Sequence, residues 1–218
     1  MSNATTIKPE IRITSFENTS VEKIINQIDQ IQESFPPNQV ILVTINSYGG
    51  SIYGLVELYS KFMSIPNPIV TYTTAHCMSA GAILFSTIGE QRYATPNSVF
   101  MIHEVQYGIG GDIKDVEDYQ EFIKIENDKL MDILAKSMDL KGANAIRKLI
   151  KQKAKGNSLF LSAEDAKKIN LVDKIAYINV HSTKQWNFVE IPIEDEVESK
   201  PKKKTKKKKS SKKKVNNG

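Results

Sequence analysis

Apolar residues recur along this chain in two alternating rhythms. Residues 10–16, EIRITSF, alternate apolar and polar positions as a short strand does. Over 21–34, VEKIINQIDQIQES, the spacing becomes helical: Val21, Ile24, Ile25, Ile28 and Ile31 share one face, Ser20 is placed to cap the first turn, and Pro36 and Pro37 end it. Residues 39–45, QVILVTI, form a β-branched run of the kind buried on both faces of a sheet. After the loop NSYGG, helical spacing resumes over 51–64 and stops at Pro66 and Pro68. A strand over 69–74 then leads through CMSAG into an apolar helix.

The second half repeats the alternation. Residues 91–103 hold the turn TPNS and the strand VFMIH, followed by a flexible stretch with Gly108, Gly110 and Gly111. A long charged amphipathic helix is expected over 113–138 and a shorter one over 143–153. Ser162 starts another helix, with Asp165 three residues on as a reduced capping box, and 171–180 return to strand. Strands alternating with helices predict an α/β domain over 10–190 with mostly parallel strands. In such domains the chemistry sits in loops at the carboxyl ends of strands. NSYGGS and CMSAG occupy that position.

Charge divides the chain. The formal net charge is +5, but residues 200–218 hold 11 of the 30 basic residues and no acids, leaving a body with 19 basic and 25 acidic residues, net −6. Residues 1–9 and the acidic-then-polylysine tail over 191–218 are expected to be disordered. The Lys202 to Lys214 segment suits either polyanion binding by counterion release or simple solvation. No run approaches the ~18 apolar residues of a membrane span, and the first residues lack a signal-peptide core. Cys77 is the single cysteine, and His76, His103 and His181 are scattered, so neither a disulfide nor a metal cluster is expected. No cofactor motif stands out: NSYGGS lacks the spacing of a dinucleotide fingerprint and the Gly-Lys-Ser/Thr of a phosphate loop. A reducing, cytoplasmic setting fits these features.

Three positions invite chemistry, each with a plain structural alternative. Ser79 lies in a small-residue strand-to-helix turn, where a helix start favours developing negative charge, or where a serine merely caps a helix. His103 ends a strand and is either a general base or a strand-end histidine bonded to backbone. Gly49 and Gly50 either open a backbone N–H toward a ligand or simply make a turn. His76 lies three residues before Ser79, with its ring expected to point away from the serine.

Together and in order, INSYGGSIYG, CMSAGAILFSTIG, YATPNSVFMIHE and LFLSAEDAKKINLVDKI resemble the motifs of the Clp protease proteolytic subunit, ClpP, across residues 40–178. The resemblance implies a serine endopeptidase with Ser79 as nucleophile, His103 as base, and the N–H groups of Gly50 and Ala80 as oxyanion hole. It also implies a crotonase-like fold of repeated ββα units, with residues 108–111 and 113–138 resembling the protruding handle. The implied assembly is two stacked seven-membered rings that enclose unfolded protein or peptide substrates, with a Clp-type ATPase unfoldase as possible partner.

This chain departs from the family pattern where the triad acid belongs. Counting back from Phe160 gives Ala154, or Lys153 with a one-residue gap, and Gln152, Lys155, Gly156, Asn157 and Ser158 are not acidic either. Replacing that acid by Asn in a serine protease triad costs about 10⁴ in rate. Asn157 or a backbone carbonyl is the substitute expected to orient the ring. Two rival functions follow: a capsid-maturation protease of the phage type, and an inactive subunit that co-assembles with a complete ClpP.

Overall fold

The computed structural model describes residues 8–182 and 186–191. The expectations for residues 1–7 and for the tail beyond 191, polyanion binding included, lie outside the described residues. In chain order the first half comprises β1 (Glu10–Ile13), α1 (Asn18–Ser34), β2 (Ile41–Ile45), α2 (Ile52–Met63), β3 (Ile69–Thr73), β4 (His76–Met78) and α3 (Ala80–Ile88). The second half comprises β5 (Gln91–Ala94), β6 (Val99–His103), α4 (Ile113–Ser137), α5 (Ala143–Lys153), β7 (Ser158–Ser162), α6 (Ala163–Lys168), β8 (Lys174–Ile175), β9 (Tyr177–Ser182) and β10 (Trp186–Ile191).

Five strands form a parallel sheet in the order β1-β2-β3-β5-β8. Every residue of β2 is buried, as its β-branched run predicts, because apolar side chains cover both faces of the sheet. One face carries the main core, where Ile11, Ile13, Ile41, Val43 and Ile45 meet the apolar faces of α1, α2 and α3. The other face carries a smaller cluster of Leu42, Val70, Tyr93 and Ala176. A second sheet, β4-β6-β7, stands apart, with β4 parallel and β7 antiparallel to β6. The β9–β10 pair is an antiparallel hairpin.

Several boundaries differ from expectation for identifiable reasons. Helix α1 begins at Asn18 because the Glu17 carbonyl already accepts the N–H groups of Ser20 and Val21, so Ser20 sits inside the first turn and caps nothing. The strand expected over 69–74 is β3, and a further short strand, β4, follows it on the way into the serine turn and belongs to a different sheet. At the break, the Asn46 amide oxygen accepts the N–H groups of Thr74 and Ala75, each at 3.0 Å. LFLS, expected only as the approach to a helix, is strand β7. Ser162 caps α6 as expected, its hydroxyl accepting from the Asp165 N–H at 3.1 Å.

A buried arginine locks the far end of the parallel sheet. Arg92 on β5 donates to both carboxylate oxygens of Asp173, to the Ser137 carbonyl at 2.7 Å and to the Ser86 hydroxyl at 3.2 Å. It thereby joins β5, the end of α4 and the approach to β8. Among the described residues, no helix is long and apolar enough to cross a membrane.

Candidate active site

The second sheet gathers three chain segments that lie far apart in sequence. The loop after β2 bridges to β4, with Ser47 N–H donating to the His76 carbonyl at 2.7 Å and Met78 N–H to the Ser47 carbonyl at 2.9 Å. Ser79 N–H in turn donates to the Met101 carbonyl of β6 at 2.7 Å. The glycine loop, the serine turn and the end of β6 are thus fixed side by side through backbone hydrogen bonds.

Ser79 sits between β4 and α3 with φ of 54° and ψ of −123°, and its side chain caps nothing. That sharp turn is strained for a residue with a Cβ, a cost of about 1–3 kcal/mol, and it lifts the hydroxyl off the helix start. The hydroxyl meets the His103 ring instead, with Oγ 2.8 Å from Nε2. The plain reading of Ser79 as a helix cap therefore fails. Gly49 makes the approach possible: at φ of 106°, a Cβ there would lie 2.6 Å from the Ser79 Cβ. Ala80 is the first residue of α3, where a backbone N–H has no intrahelical acceptor. The Gly50 N–H likewise donates to no acceptor among the described residues. His76 takes no part in this contact, since its ring stacks on Tyr48 with centroids 5.0 Å apart.

The other side of the His103 ring has no side-chain partner among the described residues. Nδ1 is buried and has no hydrogen-bond partner among the described residues. Asn157 does not supply the contact expected for it; the Glu104 backbone acts on the ring, but without a well-formed hydrogen bond to Nδ1. Residue 157 precedes β7, and the residue directly opposite His103 in the ladder is Ser158. Burial lowers the affinity of the imidazole for a proton, and the Glu104 backbone offsets only part of this.

A cavity of about 230 Å³ opens beside Ser79 and His103, walled by Ile52, Leu55, Ile83, Val105 and Leu130 and reaching Gly50 and Ala80. Sequence reasoning did not single out the polar group at its edge. Glu104 accepts from Asn127 Nδ2 at 2.6 Å and from Arg147 Nε at 2.9 Å, and Arg147 also pairs with Asp128. Burial pushes the Glu104 carboxyl up, but the hydrogen bonds from Arg147 and Asn127 outweigh it and hold the group below its usual value. No motif announces this cluster, because its members come from three elements. Among the described residues, no group of histidines, cysteines and carboxylates is arranged to hold a metal ion.

The Clp protease family model matches residues 9–179. The chain is also 30% identical over 164 residues to the ATP-dependent Clp protease proteolytic subunit of Deinococcus radiodurans, spanning 74% of this chain and 76% of that relative. An α/β chain with this match over most of its length is a protease of the hydrolase class. It belongs to the Clp protease family.

Proposed function

We propose that this chain is a serine endopeptidase subunit that hydrolyses peptide bonds inside an oligomeric chamber. The carrying observation is the 2.8 Å contact between Ser79 Oγ and His103 Nε2 at the mouth of an apolar cavity. Oγ attacks the scissile carbonyl as Nε2 takes its proton, and the oxyanion is held by the N–H groups of Gly50 and Ala80. Collapse of the tetrahedral intermediate breaks the C–N bond, and His103 returns the proton to the leaving amine. A water, deprotonated by the same imidazole, then releases the acyl group and restores Ser79. The walls formed by Ile52, Leu55, Ile83 and Leu130 suit an apolar side chain on the acyl side of the bond.

Assembly into two stacked seven-membered rings of crotonase-like subunits belongs to the same proposal, with α4 as the handle. In support, Ile113, Phe122 and Ile125 of α4 present apolar side chains to solvent in the single chain. The relative's description as ATP-dependent supports service to an ATP-driven unfoldase as part of the proposal.

The unpartnered Nδ1 favours one alternative, an incomplete subunit that needs a companion. Treating the assembled protein with a serine-directed fluorophosphonate separates the two. Labelling of Ser79 that disappears in both Ser79→Ala and His103→Ala is the expected result. An assembled wild type that stays unlabelled alone but labels after mixing with a second Clp-family subunit would replace the proposal with the alternative.

A further inference from the structure

With no well-formed hydrogen bond at Nδ1, the His103 ring lacks the firm contact that normally fixes its orientation, yet Nε2 meets Ser79 Oγ at 2.8 Å. Some other restraint must hold the end of β6. Packing alone is a poor candidate, because Glu104 and Val105 border three separate cavities of about 520, 400 and 230 Å³. His103 is also the last residue of its strand, and residues 104–110 have no regular structure. A ladder end next to open space frays readily.

Hydrogen bonds grip the two residues that follow His103. The Asn127 amide does so twice, accepting the Val105 N–H at 3.0 Å and donating to Glu104 Oε2 at 2.6 Å. Arg147 on α5 donates to the same carboxylate oxygen at 2.9 Å and is steadied by Asp128. Asn127 is buried on α4, so the grip is anchored in the body of the fold.

Building on the serine-peptidase reading, we propose that Glu104, clamped by Asn127 and Arg147, is a positioning residue. It holds the strand end that aims the His103 ring at Ser79, and so carries out the orienting part of the role left open by the missing acid. A ring displaced by about 1 Å is enough to cost ~10²-fold in rate. The clamp touches no reacting atom, and Ile52, Leu55, Ile83 and Leu130 of the cavity wall lie outside it, Val105 alone of the named wall residues being tied to it, so its loss should fall on turnover more than on substrate affinity.

The test compares wild type with Glu104→Ala and Glu104→Gln in the assembled protein, by hydrolysis of a fluorogenic peptide, fluorophosphonate labelling rate and NMR titration of the His103 ring. Glu104→Ala is expected to lower kcat and labelling by about 10- to 100-fold, to change KM by less than about threefold, and to return the ring's titration toward that of a solvated imidazole. Glu104→Gln keeps an acceptor oxygen for Asn127 and Arg147, and should recover most of the loss. Wild-type values for kcat, labelling and titration in Glu104→Ala would overturn the proposal, as would a Glu104→Gln variant no better than Glu104→Ala. Should Glu104→Ala fail to assemble, Arg147→Met removes the α5 contact alone and is judged by the same turnover and titration. A wild type whose hydrolysis survives Ser79→Ala would instead sink the peptidase reading itself.

Discussion

His103 and Ser158 face each other directly across the antiparallel β6–β7 pair. Both are half-buried, and the flanking pair, Ile102 and Leu159, is fully buried on the opposite face. Directly paired residues hold their Cβ atoms about 4.5–5.5 Å apart, so an acidic side chain at 158 would reach the imidazole. Ser158→Asp is expected to raise the His103 pKa and to speed fluorophosphonate labelling of Ser79 by about tenfold or more, as a carboxylate restores the missing support. NMR titration and labelling kinetics check both. An unchanged ring would mean that Nδ1 is turned away from β7.

Gly49→Ala should abolish most activity. The new methyl carbon would meet the Ser79 Cβ at 2.6 Å, and the backbone there has φ of 106°. Either the loop or the serine turn must shift, and displacement at a reacting centre costs about 10²-fold or more. Peptide hydrolysis with the thermal midpoint as a control separates a displaced site from an unfolded one.

The lowered imidazole sets the direction of the pH dependence. Burial depresses the folded pKa below 6.5, and only the unprotonated ring can take the serine proton. The acid limb of kcat/KM is therefore expected below about pH 6.5. The charged groups nearest the strand end, Glu104, Arg147 and Asp128, pair with one another. Stability follows the same sign. Above the unfolded pKa the ring is neutral in both states and imposes no penalty. As pH falls below it, the unfolded chain binds the proton first and stability drops until the folded ring also protonates. Between about pH 7 and about pH 5, His103→Gln should thus lose less thermal stability than wild type.

Arg92→Ala should destabilise the fold by about 3 kcal/mol, the lower end for breaking a buried ion pair, since Asp173 is partly solvated while the Arg92 side chain is 11% exposed. Chemical denaturation measures it. An effect near zero would mean that water replaces all four of the arginine's hydrogen bonds.

Cys77 should be inert in the folded protein. It is fully buried, and desolvation pushes its thiol well above the usual value. A chromogenic thiol reagent should react only as fast as the chain unfolds. Prompt reaction would show that β4 opens locally.

Periodicity alone was enough to read the α/β alternation, the buried β2 and the long α4, because burial on one or both faces leaves its trace in neighbouring residues. The family resemblance rested on short stretches around Gly50, Ser79 and His103 and on the stretch that runs on from Phe160, each of which keeps its pattern within a few residues. The Ser79–His103 contact joins positions 24 apart, and no periodicity specifies that distance. It depends on β3 and β4 separating at the Asn46 hinge and on β6 pairing between β4 and β7. The unpartnered Nδ1 was foreshadowed by the missing acid, but only the folded chain shows that no other side chain among the described residues takes its place. The Glu104 clamp left no local signal, because Asn127 and Arg147 sit on separate helices and hydrogen bonds between distant elements obey no sequence period. Local pattern determined the elements and the residues suited to chemistry; packing of those elements decided which residues meet.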